Sequence, residues 1–188
     1  MPTTTPRFPP RVRRAVLGIA SAALAVLALQ PPVIQPVAAA PAPAFTGPPS
    51  AWLNGGPLDW QQLRGKVVLL DVWTFECWNC YRSFPWLNDL ARRYQDADLR
   101  IVGIHSPEFD HEKDPAAVAA KIAEFELHHP VMLDNDMAYW KALGNRYWPA
   151  FYLVDKQGVI RYRHVGETHI GSRSANALES TLKKLLAE

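Results

Sequence analysis

Cysteine is almost missing from this chain. Of 188 residues only two are cysteines, and they stand together as Cys77-Trp78-Asn79-Cys80. A multi-disulfide scaffold is therefore excluded, as is a cysteine-rich zinc module. A c-type haem site needs histidine directly after the second cysteine, and that position holds Tyr81. His105, His111, His128 and His129 remain as metal-ligand types, but no second pair has finger-like spacing, so no metal is expected. Long apolar runs are lacking too. Ala15 to Leu29, broken only by Gly18 and Ser21, offers about 15 residues where a spanning helix needs about 20. Internal repeats are absent. Excess charge is small, +2 for the whole chain. Arg7, Arg11, Arg13 and Arg14 supply that excess, since without them 16 basic residues face 18 acidic ones. The basicity thus belongs to the N-terminus, and nucleic-acid binding loses its electrostatic basis.

What the N-terminus does contain is a basic start with no acidic residue, a short apolar core, and the small residues Val37-Ala38-Ala39-Ala40. That is the pattern of a secretory signal. Residues 1–40 are expected to be a signal peptide or an uncleaved membrane anchor that would tether the protein, with Arg13-Arg14 hinting at twin-arginine export. No cysteine lies near this leader, which excludes a lipoprotein anchor. Residues 41–50, rich in Pro and Ala, are expected to be an extended linker, and residues 51–188 the folded domain. The expected location is the periplasm or cell envelope. Thiols there tend to be oxidised, so a lone C-x-x-C is a stable clip or a pair kept reduced by a dedicated donor.

Within the domain the hydrophobic period alternates between strand and helix. Asn54-Gly55-Gly56-Pro57 is a turn signal from which a short N-terminal hairpin is expected. Val67 to Trp73 is a continuous, β-branched apolar run suited to a central strand covered on both faces. From Cys80, apolar residues recur through Phe84, Leu87, Leu90 and Tyr94 as on an amphipathic helix, with Pro85 inside it. Leu99–Ile104 reads as a second strand. A polar loop from His105 to Lys113 leads to a helix capped by Asp114 with Pro115 at its first position. Val131–Leu133 is a short strand, Asp136–Leu143 a short helix ended by Gly144, and Ala150–Val154 with Val159–His164 a hairpin around Asp155-Lys156-Gln157-Gly158. A helix from about Ser174 closes the chain. This order implies an α/β sandwich whose sheet mixes parallel strands with an antiparallel hairpin.

The cysteine pair falls where a strand gives way to a helix. Unpaired N–H groups and the helix dipole favour a thiolate on the leading sulfur there. A clip closing so small a loop would constrain the unfolded chain little, which favours redox over structural use. Asp71 lies six residues before Cys77 inside an otherwise apolar strand. Thr74 forms Thr-x-x-Cys with Cys77, a fragment shared with thiol peroxidases, although the proline expected four residues earlier is Leu70.

Val68-Leu69-Leu70-Asp71-Val72-Trp73, then Cys77-Trp78-Asn79-Cys80, then Trp148-Pro149 before a hairpin strand, resembles the thioredoxin superfamily. Leu63-Arg64-Gly65-Lys66 and the additional β-α segment before Trp148 resemble its TlpA/ResA branch. Runs such as Gly103-Ile104-His105-Ser106-Pro107-Glu108, Leu133-Asp134-Asn135 and Asn145-Arg146-Tyr147-Trp148-Pro149-Ala150 are more closely similar to the thioredoxin-like domain of DipZ-type proteins. The likeness covers about Trp52 to Glu188.

This resemblance implies a thioredoxin fold, a three-layer α/β/α sandwich with a mixed sheet and an inserted β-α segment. It implies a thiol–disulfide oxidoreductase with a redox-active Cys77–Cys80 disulfide: Cys77 the attacking thiolate, Cys80 the resolving thiol and Asp71 a buried proton shuttle. Pro149 matches the family's cis-proline, with Trp148 and Trp78 bordering the substrate site. Glu76, His105 and Glu108 are candidates for the active-site rim. No cofactor is implied. The implied partners are protein disulfides, apocytochrome c among them, and a membrane electron donor of the CcdA/DsbD type. Where many relatives have glutamate three residues after the second cysteine, this chain has Ser83. A thiol peroxidase, a disulfide oxidant or isomerase, and a non-catalytic binding module are the alternative readings.

Overall fold

The computed structural model describes Met1 and residues 40–188; the expected leader lies outside the described residues, apart from its two ends. Among the described residues seven strands form one sheet, in the spatial order β1 (Ala40–Pro41), β7 (Val159–Val165), β6 (Ala150–Val154), β3 (Val67–Trp73), β4 (Leu99–His105), β5 (Val131–Leu133) and β2 (Trp52–Leu53). At its centre is β3 (Val67–Trp73), all seven residues of which are buried. Its parallel neighbour β4 (Leu99–His105) pairs residue for residue from Val67–Leu99 to Trp73–His105, and β5 (Val131–Leu133) continues the parallel half. On the other side β6 (Ala150–Val154) runs antiparallel to β3 and turns into β7 (Val159–Val165). That turn is held by the Asp155 carboxylate, which accepts from the N–H groups of Gln157 and Val159 at 3.0 and 2.9 Å.

Alternation along β3 divides the core. Val67, Leu69 and Trp73 pack with α1 (Trp78–Arg93), α2 (Pro115–Glu124) and α4 (Arg173–Ala187), while Val68, Leu70 and Val72 face the short α3 (Ala138–Ala142) and the N-terminal segment. Period two thus places Asp71 on the α1 face. The helix ends follow their caps: Cys77 precedes α1, Asp114 accepts from Ala116 N–H before α2, and Ser172 accepts from Ala175 N–H before α4. The buried stripe of α1 is wider than the periodicity indicates. It includes Trp86, whose Nε1 donates to Glu179 of α4 at 3.1 Å, because α1 packs against both the sheet and α4.

Two expectations are corrected at the N-terminal end of the domain. Among the described residues no N-terminal hairpin forms. Instead β1 (Ala40–Pro41) pairs with β7 and β2 (Trp52–Leu53) with β5, at opposite edges of the sheet. The Asn54–Pro57 turn exists, but it aims the chain away from β2. A side chain at Gly56 would come within 2.6 Å of the Trp52 ring, and φ there is +97°. Residues 41–50 also run against the domain rather than hanging free as a linker. The Pro43 carbonyl accepts from Trp60 Nε1 and the Tyr139 hydroxyl, and Phe45 packs among Trp52, Trp60 and Tyr139. With only five residues in α3, that sheet face needs an apolar cover, and an extended strap supplies one without leaving a periodic signature.

Candidate active site

The polypeptide leaves β3 at Trp73, makes a short turn through Thr74–Glu76, and enters α1 with Cys77 as its N-cap. A disulfide joins Cys77 to Cys80, with the two Cα atoms 5.2 Å apart. Cys77 is half-buried, whereas Cys80 is fully buried one turn into the helix. Cys80 N–H donates to Cys77 Sγ at 3.1 Å, so a main-chain donor of the first turn already faces the leading sulfur. A negative charge forming on Cys77 is stabilised by that contact and by the helix N-terminus.

Pro149 follows a cis peptide bond from Trp148 and is buried. It stands one residue before Ala150, which pairs with Val72, so the register brings it to the same end of β3 as the redox turn. The Trp148 indole is fixed in place: Nε1 donates to the Ser106 carbonyl at 3.0 Å, and the ring lies 4.2 Å from that of Trp140. Trp78, between the cysteines, is 69% exposed, and Tyr147 beside Trp148 is 64% exposed.

Asp71 is completely buried, and neither carboxylate oxygen has a hydrogen-bond partner. Burial alone pushes its pKa up to about 8, which puts a proton carrier of near-neutral affinity on the α1 face of the central strand.

The three residues proposed for the rim separate. Glu76 is exposed, with its carboxylate 2.8 Å from His111 Nε2 and its side chain directed to solvent. Glu108 is exposed in the loop after β4. His105 is not a rim residue. It ends β4, is completely buried between the rings of Trp73 and Phe75, and its Nε2 lies 3.4 Å from Thr74 Oγ1. Burial lowers its pKa to about 4, so its ring is neutral. The strand simply runs one residue further than its apolar pattern, because a neutral imidazole packs as an aromatic.

Glu112 was not visible as a site residue. It is buried, and its carboxylate accepts from the main-chain N–H of Glu76 at 3.0 Å, of Phe109 at 2.9 Å and of Glu108. Burial pushes this carboxyl up, but the hydrogen bonds from Phe109, the Thr74 hydroxyl, Glu76 and Glu108 outweigh it and hold it below the usual range. Glu112 thereby ties the turn that precedes Cys77 to the loop after β4. Its only sequence signal is a glutamate three residues after Phe109, in a loop as polar as any surface loop. Thr74 is engaged with Glu112 and near His105, so its hydroxyl is spent away from the arrangement that a thiol peroxidase would need. Ser83, which replaces the relatives' glutamate, accepts from Thr168 N–H and donates to the Asn79 carbonyl.

A mixed sheet with helices on both faces, carrying a closed C-x-x-C pair at the start of a helix and a cis-proline at the same end, defines a thiol–disulfide oxidoreductase of thioredoxin type. The chain belongs to the Redoxin family, whose model matches residues 37–181. It is 39% identical over 140 residues to DipZ of Mycobacterium tuberculosis, a match that spans 73% of this chain but only 19% of that protein. The thiol-disulfide oxidoreductase YkuV of Bacillus subtilis is 32% identical over 148 residues, 79% of this chain and 95% of its own. Among solved structures, a thioredoxin-like protein in the oxidised form superposes with TM-score 0.66 at 33% identity, covering 78% of this chain and 95% of that one.

Proposed function

We propose that this enzyme is exported and reduces disulfides in protein clients. The observation that carries this reading is the asymmetry of the pair: a half-buried, helix-capping Cys77 and a fully buried Cys80. In the reduced enzyme the Cys77 thiolate attacks one sulfur of a client disulfide. The client S–S bond breaks, its departing thiolate takes a proton, and Cys77 is left in a mixed disulfide. Asp71, as carboxylate, then removes the Cys80 proton, and the Cys80 thiolate attacks Cys77 Sγ. The client leaves with both sulfurs reduced, and the two electrons it gained leave the Cys77–Cys80 disulfide behind.

Main-chain groups beside Pro149 would hold an extended client, with the exposed Trp78 and the fixed Trp148 as apolar borders. Restoring the dithiol calls for a membrane donor of the CcdA/DsbD type, and apocytochrome c is one client of suitable chemistry. The basic, apolar N-terminus supports export or tethering in the periplasm or cell envelope. A related structure is that of a secreted disulfide oxidoreductase of Mycobacterium tuberculosis.

The deciding measurement is the Cys77–Cys80 potential against glutathione. A value near about −270 mV, as in thioredoxin, is expected, whereas one near about −120 mV would make the protein an oxidant. Cys77→Ser should abolish insulin-disulfide reduction, and Cys80→Ser should trap the mixed disulfide.

A further inference from the structure

Buried polar atoms without partners are uncommon in native folds, and several of them here converge on one point of the sheet. Asp71 of β3 is the register partner of Gly103 on β4, and adjacent strands lie about 4.8 Å apart. A carbon placed on Gly103 would lie 3.3 Å from Trp73 Nε1 and 3.3 Å from His129 Nε2. Both nitrogens, like both Asp71 oxygens, are buried with no hydrogen-bond partner. The missing side chain at Gly103 therefore lets an indole N–H, an imidazole nitrogen and a carboxyl group share one small space.

His129 is held there from outside the sheet. Asn54 Nδ2 donates to the carbonyls of Leu127 and His129 at 2.7 and 3.0 Å, fixing the loop that leads into β5. His129 is 7% exposed and also lines a cleft of about 760 Å³ that is open to solvent and does not include Cys77 or Cys80. One side of His129 thus meets the space beside Asp71, and the other meets a solvent-filled cleft.

We propose that His129 is the positioning residue through which Asp71 exchanges its proton with solvent, on the opposite side from the client. The inference rests on the relay role given to Asp71 above. In this structure Asp71 and His129 make no direct hydrogen bond, so after Asp71 has taken the proton of Cys80 its carboxyl closes on His129 Nε2 across the space beside Gly103 and passes the proton there. His129 releases its Nδ1 proton to water in the cleft, so the imidazole ends neutral with its tautomer reversed and Asp71 is a carboxylate again. Trp73 Nε1, a donor only, orients the acceptor atoms. At neutral pH burial leaves Asp71 a carboxyl donor and His129 a neutral acceptor, since Asp71 stays protonated to about pH 8 and His129 neutral to about pH 4. The transfer to His129 runs uphill and is drawn forward by loss of the Nδ1 proton to solvent. The other charged or titratable groups on this cleft are Asp89 and Arg92 of α1, Tyr94 at the C-terminal end of that helix, Arg100 of β4, and Glu126 and His128 of the same loop. The route explains how a site covered by bound client can still shed a proton.

The test follows resolution of a mixed disulfide between Cys77 and a cysteine peptide in the full chain, from pH 6 to pH 9. His129→Gln keeps a hydrogen-bonding side chain but cannot carry a proton; it should slow resolution by about tenfold or more while leaving the reduction potential unchanged. His129→Ala should be slowed similarly, and free imidazole entering from the cleft should restore its rate. Wild-type rates in both variants, alongside a slow Asp71→Asn, would overturn the exit route alone. So would a slow His129→Ala that imidazole does not rescue. Wild-type resolution in Asp71→Asn would instead remove the relay itself, and the exit route with it.

Discussion

Asp71 is held in an environment that costs stability. Its folded pKa of about 8 lies far above its ordinary value of 3.8, so the folded protein binds a proton that the unfolded chain releases between these values. The group is no burden below about pH 4, and its cost grows as pH rises towards 8. Asp71→Asn should therefore be more stable than the wild type by a few kcal/mol (order of magnitude) near pH 8 and equal to it near pH 4, in denaturant titrations. The same variant should slow thiol–disulfide exchange, and its rate should lose the pH dependence of the parent. Stability gained with function lost is the signature of a residue kept for chemistry. Glu112 should behave in the opposite way. Glu112→Ala leaves the N–H groups of Glu76, Glu108 and Phe109 without their acceptor, and a loss of about 1–3 kcal/mol is expected in the same titrations. Hydrogen exchange at those three amides should accelerate more than exchange in β3.

At the scale of elements, the strap formed by residues 41–50 is the piece whose importance the composition concealed. Phe45 joins three aromatic rings of the face that α3 covers only in part. Phe45→Ala should lower stability by about 1–3 kcal/mol and increase Trp60 exposure, as read by fluorescence quenching. The strands and helices from Val67 onward were legible because each carries a strong local signal: the unbroken apolar run of β3, the Asp114-Pro115 start of α2, the Asp155–Gly158 turn. The strap and the edge pairings were not, since they depend on which distant surface needs covering. His105 shows the same limit at a single position. Its polarity suggested a loop, and only the packing of Trp73 and Phe75 around it makes a neutral, buried ring the better outcome. The cysteine pair, Asp71 and Pro149 were readable from spacing and resemblance. Glu112 and His129 were not, because their roles lie in contacts 36 residues from Glu76 and across a strand from Asp71.

For the molecule as a whole, three buried groups give its stability a shape against pH. His105 and His129 are neutral in the fold down to about pH 4, while in the unfolded chain they gain protons near 6.5. Acid therefore favours unfolding between these values, and the contribution of the histidines rises with pH up to about 6.5. Asp71 acts with the opposite sign up to about 8. Two histidines outweigh one carboxyl below 6.5, and above it only the carboxyl remains, so these groups together place the maximum near pH 6.5. Melting temperatures of the oxidised protein from pH 4 to 9 should show that maximum, and Asp71→Asn should flatten its alkaline side.

The arrangement of the sheet's margins has a consequence for solubility. Among the described residues both outermost strands, β1 and β2, are two residues long, and β1 pairs with only Val159 and Ile160 of β7, leaving the outer main-chain edge of β7 open from Arg161 to Val165. The open stretch of β7 carries the exposed Arg161 and Arg163, and their charge, rather than the short outer strands alone, discourages a further strand from adding to the sheet.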